Sequence, residues 1–524
     1  MLSRLLLLDS LTPPLLVANQ VFDSFNVSFF SAGSKETLYR YAPLSKTISF
    51  HKTIAKVVFF SAYMHTVAHF LNFGAASRAV GATFGVGPWV TGGIICLAMF
   101  FIYPAASDQV RRNCFRLFWV SHHWFLVFFL FLLFHGPVFI FWSVIPIGLF
   151  AVERLFRFVA AERATGFAVK ELKWLDPVLA VYFCPRLKDQ FKFKEGQYLY
   201  LCVPAISEEW HPFTISSAHD DLLQRDYVSV HMKVHKGGWT EKVKDYFEAM
   251  NPHGDYPLTL THRDEKGQVQ PGKYVGPEGS SLLRVDGPHS APGEHYDKYE
   301  TVMLIGAGIG LTPVASVLQA VTEYKWKRGF NPEILHIYWI VRQSELPGFM
   351  WFIGLLTALC RDLQVDRAKG LSYTQNCYLE VNIFVTRADK DFVTPQCQER
   401  IENTKEIKGP GGGVVSSFSA QQLMELCCHP PTSSKKINET KLPENNPAQA
   451  PNRLQDVWCW DGRPNWDLIF SSVKAQRRYR DIGVCFCGTP IVGKDLKTMC
   501  KKYSTLDPTG QENEVLFRLH KENF

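Results

Sequence analysis

Apolar segments long enough to cross a lipid bilayer are concentrated in the first third of this chain. They run from about Thr53 to Phe73, Gly85 to Ala105 and Leu117 to Phe134, with a shorter one from Gly136 to Val152. Because hydrocarbon offers the backbone no hydrogen-bonding partners, such segments are restricted to helices. We therefore expect four membrane-spanning helices. The leucine-rich stretch before residue 46 is broken by charges and two consecutive prolines, so it predicts neither a further span nor a signal peptide.

The positive charge lies in the same part of the chain. Residues 46 to 152 contain seven lysines and arginines and a single acidic residue, Asp108, which accounts for +6 of the total +7. With alternating helices, the basic clusters near residues 46 to 56, 111 to 116 and 154 to 157 fall on one side, which is expected to be cytoplasmic. Because this charge flanks apolar segments, nucleic-acid binding is poorly supported. Thirteen scattered cysteines without CxxC pairs give no sign of a disulfide framework or a zinc site.

Four histidines lie within or at the ends of the predicted spans, where ionisable side chains are costly and usually functional. They are His51, His65, His122 and His135. His51 and His65 are 14 residues apart, and His122 and His135 are 13 residues apart. On a helix, the two members of each set therefore differ in depth by about 20 Å. Since the first and third spans run parallel, His51 can face His122 and His65 can face His135. Two imidazoles on either side of an iron suggest two stacked haem sites with no open position on the metal.

Several points about these histidines stay open. A 13-residue step turns His135 about 140° from the face of His122 on an ideal helix, so the third span must be distorted between them. His123 would reduce this angular error but shortens the step, so His122 is preferred. The alternative interpretation is that the histidines are satisfied by hydrogen bonds between helices. His69, one turn beyond His65, suits either a packing role or a place beside an electron acceptor at the outer face.

From about residue 160 the pattern changes to short β-type runs at 177 to 184, 196 to 203 and 227 to 234, which predict a small antiparallel barrel. The most informative segment is HPFTISSA, at residues 211 to 218, and a Gly-Gly-Trp-Thr sequence at 237 to 240 marks a helix start. Hydroxyl groups and backbone donors here suit a ribityl chain and a pyrophosphate, the latter favoured by a helix N-terminus. A buried turn with polar caps is the alternative for this segment.

A parallel α/β unit is predicted from Thr301, where the strand TVMLI is followed by GAGIGLTP and a helical stretch. The glycines let a phosphate approach the backbone, although Leu311 stands where the dinucleotide fingerprint has glycine. Further strands end at Trp339 to Arg342 and at the CGTP sequence of residues 487 to 490. Since the carboxyl ends of parallel strands share one edge, these segments could converge on one nucleotide. Arg342 is either a partner for a 2′-phosphate, favouring NADPH, or an ordinary surface arginine.

These motifs together resemble the catalytic subunits of the superoxide-generating NADPH oxidase family, within the wider ferric-reductase-like superfamily. The resemblance covers about residues 46 to 524 and rests on the order of FHK, MHTVAH, RRNCFRLFWVSHHWF, HPFTISSA, GAGIGLTP, GRPNW and the final HKENF. It implies several domains: an α-helical transmembrane haem domain (46–155), an antiparallel β-barrel FAD domain (160–295) and an α/β nucleotide-binding domain of the ferredoxin-NADP reductase type (298–524). A segment rich in Pro, Gly, Ser and Lys at about 388–452 is expected to be a disordered insertion. Because the family has six spans, residues 1–45 would be the remnant of a truncated helix.

The resemblance also implies which residues hold each cofactor. The haem irons would take His51, His65, His122 and His135. The expected FAD contacts are His211, Pro212, Phe213, Thr214, Ser217, His231, Trp239 and Thr240. The expected NADPH contacts are Gly306, Gly308, Gly310, Thr312, Pro313, Arg342, Cys487, Gly488 and Pro490. Phe524 is implied to cover the flavin ring until nicotinamide displaces it, and Cys487 and His69 complete the expected catalytic set.

The implied reaction passes a hydride from NADPH to FAD and then single electrons through two b-type haems to molecular oxygen, which gives superoxide. Oxygen and the bilayer are the expected partners, cytosolic activators and a small membrane subunit are further candidates, and the plasma membrane is the expected location. Two alternatives stay open: a ferric-chelate or other metalloreductase with the same cofactors, and a truncated, non-catalytic membrane subunit. His219, where relatives have proline, and CGTP in place of CGP leave individual contacts open.

Overall fold

The computed structural model describes residues 47–80, 86–136, 139–141, 143–145, 147–148, 151–152, 166–251, 253–263, 266–387, 455–475, 480–505 and 514–522. Residues 1–46, the predicted insertion at 388–452 and the terminal Phe524 lie outside these ranges. The chain divides into two compact units, Met1–Ala160 and Ala161–Phe524.

The regular secondary structure described in the first unit is helical. Up to residue 136 its helices are α1 (Thr47–Val80), α2 (Val86–Ala105), α3 (Asp108–Asn113), α4 (Phe115–His122) and α5 (Phe125–His135). A small apolar core joins Ile54 of α1, Ile95 of α2 and Phe128 of α5. Many other large apolar side chains face outward, among them Phe60 and Phe100, which are 59% and 70% exposed. An apolar outer surface of this extent suits lipid, where such side chains carry no penalty.

The helices of this unit confirm a membrane-spanning region. α1 contains an apolar stretch of 23 residues, Phe50–Asn72, and α4 with α5 forms one of 20 residues, Arg116–His135. α2 contributes the shorter apolar helix Trp89–Ala105. For the fourth predicted span, the described residues between 139 and 152 have helical backbone. A chain with these helices is an integral membrane protein.

The third span is not one straight helix. α4 ends at His122 and α5 begins at Phe125. At the break, the amide of Trp124 donates to the carbonyl oxygen of Ser121 at 3.2 Å. A bond to the third preceding residue winds the chain more tightly than an α-helix does. This interruption is a distortion of the kind that the 13-residue histidine step requires.

The first half of the second unit consists of antiparallel sheets. Its strands are β1 (Phe167–Leu175), β2 (Val178–Pro185), β3 (Tyr198–Cys202), β4 (His211–Thr214), β5 (Val228–Lys233), β6 (Leu258–Thr259), β7 (Thr261–Arg263), β8 (Val269–Pro271) and β9 (Arg284–His289), with the helices α6 (His219–Arg225) and α7 (Trp239–Ala249). The strand orders are β5-β2-β1-β6, β4-β3-β9 and β7-β8. Leu172, Leu199, Val230 and Leu282 are fully buried in one apolar core, to which the two larger sheets both contribute. The predicted antiparallel fold is confirmed.

The second half is a six-stranded parallel sheet. Its strands are β10 (Thr301–Ala307), β11 (Ile334–Arg342), β12 (Tyr378–Thr386), β13 (Gln455–Asp461), β14 (Asp481–Cys487) and β15 (Leu516–Lys521), and its helices are α8 (Thr312–Gln319), α9 (Met350–Ala368), α10 (Tyr373–Asn376), α11 (Trp466–Ala475) and α12 (Pro490–Tyr503). The strand order is β13-β12-β11-β10-β14-β15. The chain thus moves outward from β10 first on one side and then on the other. Ligands of such sheets bind at the carboxyl ends of the strands where this reversal occurs.

One further segment, Gln343–Ala368, is long and apolar enough to cross a membrane. Its helix α9, however, buries Phe352, Leu356 and Leu363 in the core of the parallel sheet. Half of its most apolar window is buried, compared with 17% and 6% for the two membrane stretches of the first unit. α9 is therefore a packing helix of the parallel-sheet half of the second unit.

Candidate functional site

Two histidine pairs join α1 to the third span. The ring centres of His51 and His122 are 6.3 Å apart, and those of His65 and His135 are 6.1 Å apart. All four side chains are half-buried. Two imidazoles that bind one first-row metal place each nitrogen about 2 Å from it, which leaves roughly 6 Å between ring centres. Both observed separations fit one iron between the two rings.

Two residues of α2 surround the ring of His135. Nδ1 of His135 lies 2.9 Å from Oγ1 of Thr91. A side chain on Gly92 would begin 3.0 Å from Cε1 of the same ring. In metal sites the second ring nitrogen of a histidine usually bonds an oxygen atom that fixes the ring's orientation. Thr91 supplies this oxygen, and Gly92 makes room for the ring.

His122, and not its neighbour, pairs with His51. Nδ1 of His122 is buried and has no hydrogen-bonding partner among the described residues. His123 is exposed, and its Nδ1 bonds the carbonyl oxygen of Trp119 at 2.7 Å. A buried polar atom without a partner is costly unless a ligand occupies the site. Nδ1 of His122 thus lacks an oxygen partner like the one Thr91 gives His135, and the separation of its ring from that of His51 is what supports His122 as a proposed haem ligand.

His69 lies beside the outer pair. Its ring centre is 4.3 Å from that of His65, and its side chain is exposed. The position is compatible with both roles expected from the sequence. Within the described part of the chain, no group of three or more His, Cys, Asp and Glu side chains could hold a metal ion. The histidine pairs, with two members each, are candidate metal ligands on their ring separations.

The HPFT strand, β4, lies against the first turn of α7. The ring of Trp239 stacks on His211, with centres 4.2 Å apart, and lies 6.0 Å from Phe213. Pro212 is exposed and Thr214 is buried. Burial lowers the pKa of His211, so this ring is neutral at pH 7. Nε1 of Trp239 is buried and has no hydrogen-bonding partner among the described residues, whereas Nε2 of His211 lies 3.6 Å from Oε2 of Glu209. A stacked ring surface with an unpaired indole N–H fits a flavin.

The first turn of α7 has no side-chain cap, although the amide of Gly237 just before it donates to the carboxylate of Glu241 at 2.6 Å. Gly238 is the N-cap residue and carries no side chain to cap the first turn. Oγ1 of Thr240 accepts a hydrogen bond from the amide of His235 at 3.0 Å, which holds the turn in shape. Free N–H groups at a helix N-terminus bind phosphate groups well. The placement of Trp239 and Thr240 is therefore compatible with the expected pyrophosphate contact.

A buried polar cluster lies behind β4. Oγ of Ser216 lies 2.7 Å from Nδ1 of His231 and 2.9 Å from Oγ of Ser229. The ring of His231 stacks on Trp351 of α9, with centres 3.6 Å apart. Burial, and then the charge of Lys173, lowers the pKa of His231 to about 3. His231 is thus a neutral ring between the barrel and α9, and its contact with FAD stays a prediction.

Ser217 connects the flavin segment to the nucleotide-binding domain. Its carbonyl oxygen accepts a hydrogen bond from Oγ of Ser316 on α8 at 2.7 Å. Nearby, the buried carboxylate of Asp221 accepts one from Nε2 of Gln319 at 2.9 Å, and burial raises the pKa of Asp221 to about 6. Because α8 follows the GAGIG loop directly, these bonds fix the two segments relative to each other.

The three predicted nucleotide segments end at one edge of the parallel sheet. Gly306 of β10 pairs with Cys487 of β14, and the last residue of β10 pairs with β11 two residues before Arg342. Gly308 has a φ of +56°, which favours glycine. Gly310 packs so closely on the carbonyl group of Cys487 that no side chain would fit. The loop thus turns sharply and leaves its backbone free for a phosphate.

The remaining predicted NADPH contacts lie at helix starts. Thr312 and Pro313 form the first turn of α8, and Pro490 opens α12 two residues after Gly488. Proline suits the first turn of a helix because the backbone N–H that it lacks would have no partner within the helix there. Both helices begin where their preceding strands end, so their N-termini lie at the same edge as the glycine loop.

Arg342 has two charged neighbours that the sequence analysis did not identify. Its guanidinium group is 3.8 Å from Oε1 of Glu345, and this carboxylate also binds Nζ of Lys233 on β5 at 2.6 Å. Lys233 belongs to the flavin-binding half of the unit, more than a hundred residues earlier in the chain. Spacing along the sequence therefore gave no sign of the contact.

A buried carboxyl group at the end of the chain was also missed. Glu522 lies beside Cys487, and neither of its oxygens has a nitrogen or oxygen donor among the described residues. Burial raises the pKa of Glu522 to about 8 and holds the pKa of Cys487 well above its usual value. Both line a cavity of about 10 Å³, which is the size of one water. Two exchangeable protons are thus held near the nucleotide edge, and only the motif HKENF pointed to this region.

Comparison with known proteins gives three successive family matches. A ferric reductase like transmembrane component matches residues 21–133, an FAD-binding domain matches 166–293, and a ferric reductase NAD binding domain matches 299–501. Among solved structures, the cytochrome b5 reductase domain of Ulva prolifera nitrate reductase aligns with 67% of this chain and 96% of its own, at 14% identity and a TM-score of 0.33.

Two curated relatives align over most of the chain. A superoxide-generating NADPH oxidase heavy chain of Dictyostelium discoideum is 31% identical over 520 residues, which cover 93% of this chain and 83% of the relative. Human NADPH oxidase 5 is 28% identical over 529 residues, which cover 92% of this chain and 60% of the relative. The chain thus spans less than two thirds of the human protein. The helical membrane region, the flavin-binding domain and the nucleotide-binding domain together identify this chain as a member of the NADPH oxidase family.

Proposed function

We propose that this chain is a transmembrane oxidase that takes electrons from NADPH and delivers them to molecular oxygen, which gives superoxide. FAD and two b-type haems carry the electrons. The flavin and nucleotide domains lie in the cytoplasm and the helices lie in the plasma membrane. The order of the three matched domains and the similarity to the superoxide-generating NADPH oxidase heavy chain of Dictyostelium support this proposal.

The observation that carries the proposal is the pairing of four histidines. His51 and His65 lie 14 residues apart on the continuous helix α1, which separates them by about 21 Å. Each has a partner on the third span at a ring separation that one iron fills. Paired imidazoles leave an iron no open position, which suits electron transfer better than binding of a substrate at the metal.

Bound FAD supplies the conversion of a two-electron hydride into single electrons, and the haems supply one-electron carriers across the bilayer. The residues of this chain hold these groups in place. Trp239 and His211 offer the flavin a stacking surface, and the first turn of α7 offers its pyrophosphate backbone donors. The hydrogen bond from Ser316 to Ser217 keeps the glycine loop at a fixed distance from that surface.

The test uses the purified full-length chain in detergent, supplied with FAD and NADPH. We expect the absorbance spectrum of two bis-histidine b-type haems per chain and an NADPH-dependent signal that superoxide dismutase abolishes. A signal that requires a ferric chelate and resists dismutase would show a metalloreductase. A chain without the haem spectrum would be a non-catalytic subunit, and the proposal would be wrong.

A matched pair of variants tests the ligand assignment. His122→Leu removes a proposed ligand and is expected to leave one haem per chain and no superoxide formation. His123→Leu removes the adjacent, exposed histidine, whose nitrogen already bonds Trp119, and should keep both haems. Equal haem loss in both variants would contradict the pairing of His122 with His51.

Orientation and partners are tested separately. The basic clusters favour a cytoplasmic location for the soluble domains, so a protease added outside intact cells should leave these domains uncut. Superoxide formation by the purified chain alone would show that neither a small membrane subunit nor a cytosolic activator is required. Activity that appears only when cytosol or membrane extract is added would show that such a partner is needed.

A further inference from the structure

Three charged side chains from two domains meet beside the glycine loop. Oε1 of Glu345 lies 2.6 Å from Nζ of Lys233 and 3.8 Å from the guanidinium group of Arg342. Its other oxygen, Oε2, lies 3.7 Å from the point where a Cβ on Gly308 would stand. The carbonyl oxygen of Gly308 accepts a hydrogen bond from Nε1 of Trp339 at 3.4 Å, which ties the loop to β11. The carboxylate therefore faces the loop that is proposed to bind the nucleotide.

The carboxylate is the enclosed member of this group. Glu345 is 15% exposed, whereas Lys233 is 29% and Arg342 is 52% exposed. Two positive charges and one negative charge leave a net charge of +1 at this position. An incoming phosphate would thus meet cations that an internal anion already partly neutralises. Screening by water is incomplete at an enclosed group, so the effect on a dianionic ligand is measurable.

Nucleotide sites of this kind distinguish NADH from NADPH at the adenosine ribose. A carboxylate accepts a hydrogen bond from the 2′-hydroxyl of NADH, and an arginine pairs with the 2′-phosphate of NADPH. The end of β11 presents both groups, three residues apart. A carboxylate beside that arginine favours the hydroxyl form and repels the phosphate form.

We propose that Glu345 limits the selectivity of this chain for NADPH over NADH. The carboxylate holds Arg342 and Lys233 when no nucleotide is bound and competes with the 2′-phosphate for both cations. Because NADH lacks this phosphate, the carboxylate weakens the binding of NADH less than it weakens the binding of NADPH. The inference rests on the proposed function, because it requires a nucleotide at this edge of the sheet.

The test measures binding of 2′-phospho-AMP and of AMP to the full-length, FAD-loaded protein by calorimetry. Glu345→Gln should tighten binding of 2′-phospho-AMP about fivefold, as expected for the loss of one partly screened charge contact. Binding of AMP should be unchanged or weaker. The ratio of KM for NADH to KM for NADPH should rise by a similar factor. Glu345→Ala removes the same charge and should act in the same direction. The test can therefore still be made if one of the two variants does not fold.

The control is Glu300→Gln, which removes one negative charge from an exposed position just before β10, at the opposite end of the sheet. It should change neither affinity. A wild-type protein that binds 2′-phospho-AMP, with neither Glu345 variant binding it more tightly, would overturn the inference and leave the proposed function intact. A wild-type protein that binds neither probe and does not oxidise NADPH would overturn both.

Discussion

The contact between Gly92 and His135 allows a direct test of how the outer haem site is formed. Gly92 lies on α2, which contributes no ligand, yet it stands against the ring of a proposed ligand on α5. Substitution by alanine adds one methyl group at this contact. The adjacent Gly93 has no atom within 4 Å of its corresponding position. Gly93→Ala is therefore a control of identical chemistry on the same helix.

The size of the effect follows from the distances. The added methyl group of Gly92→Ala would lie 3.0 Å from Cε1 of His135, so the ring would have to move by a few tenths of an ångström. Bonds between a metal and its ligands tolerate deviations of about 0.2 Å. The displaced ring therefore loses its best position relative to the iron. We expect affinity for one of the two haems to fall about tenfold, which is the lower end of the range for changes around a metal ligand.

The assay measures haem per chain by absorbance and the rate of haem transfer to apomyoglobin. Gly92→Ala should lose one haem faster than the wild type and show a lower rate of superoxide formation, while flavin reduction by NADPH stays unchanged. Gly93→Ala should match the wild type in all three measurements. Equal haem retention in the two variants would refute the inference that His135 is held against Gly92 as a haem ligand.

Three further changes have expected outcomes. Thr91→Val removes the hydrogen bond to Nδ1 of His135 and should weaken haem binding by about 10- to 100-fold in the same transfer assay. Ser316→Ala removes the buried bond to the carbonyl oxygen of Ser217 and should lower the free energy of unfolding by about 1 kcal/mol, measured by thermal melting. The pKa of Glu522 is raised from 4.5 to about 8, so the stabilisation from its neutral form is complete below pH 4.5 and is lost as pH rises through 8. Glu522→Gln stays neutral, so its gain in stability over the wild type, followed by melting temperature, should be small near pH 5 and near its maximum by pH 9, with an upper limit of about 5 kcal/mol; parallel pH profiles would contradict this.

The sequence predicted those features that helix and strand geometry determine locally. The spacing of His51 and His65 fixes their shared face and their depth, since both lie on one uninterrupted helix. The strand-turn-helix pattern around Gly306 fixes the edge at which a nucleotide can bind. For the third span, the spacing showed only that a distortion was needed. The position of the break at His122 depends on how α4 and α5 pack, which periodicity does not encode.

The residues that the sequence analysis missed act through contacts between distant segments. Thr91 and Gly92 are ordinary residues of an apolar helix until α2 packs against His135. Lys233 and Glu345 lie on separate domains and meet only after both have folded. Such contacts depend on tertiary packing, whereas motifs depend on order along the chain. A motif therefore identified each cofactor site, and the structure was needed to find the residues that orient the ligands within it.

The single acidic residue of the membrane region also affects the relative depth of His51 and His122. Asp108, the single acidic residue between positions 46 and 152, lies 2.7 Å from Nζ of Lys52 and 3.4 Å from the guanidinium group of Arg111. Lys52 adjoins His51 on α1, and Asp108 begins α3, which leads directly into the helix of His122. The ion pair therefore connects the two segments that must present their histidines at one depth. Lys52 and Asp108 are 42% and 62% exposed, so the pair contributes at most about 1 kcal/mol to stability. A contact this weak cannot hold the helices together by itself, but it favours one register of α1 against α3 and so brings His51 level with His122.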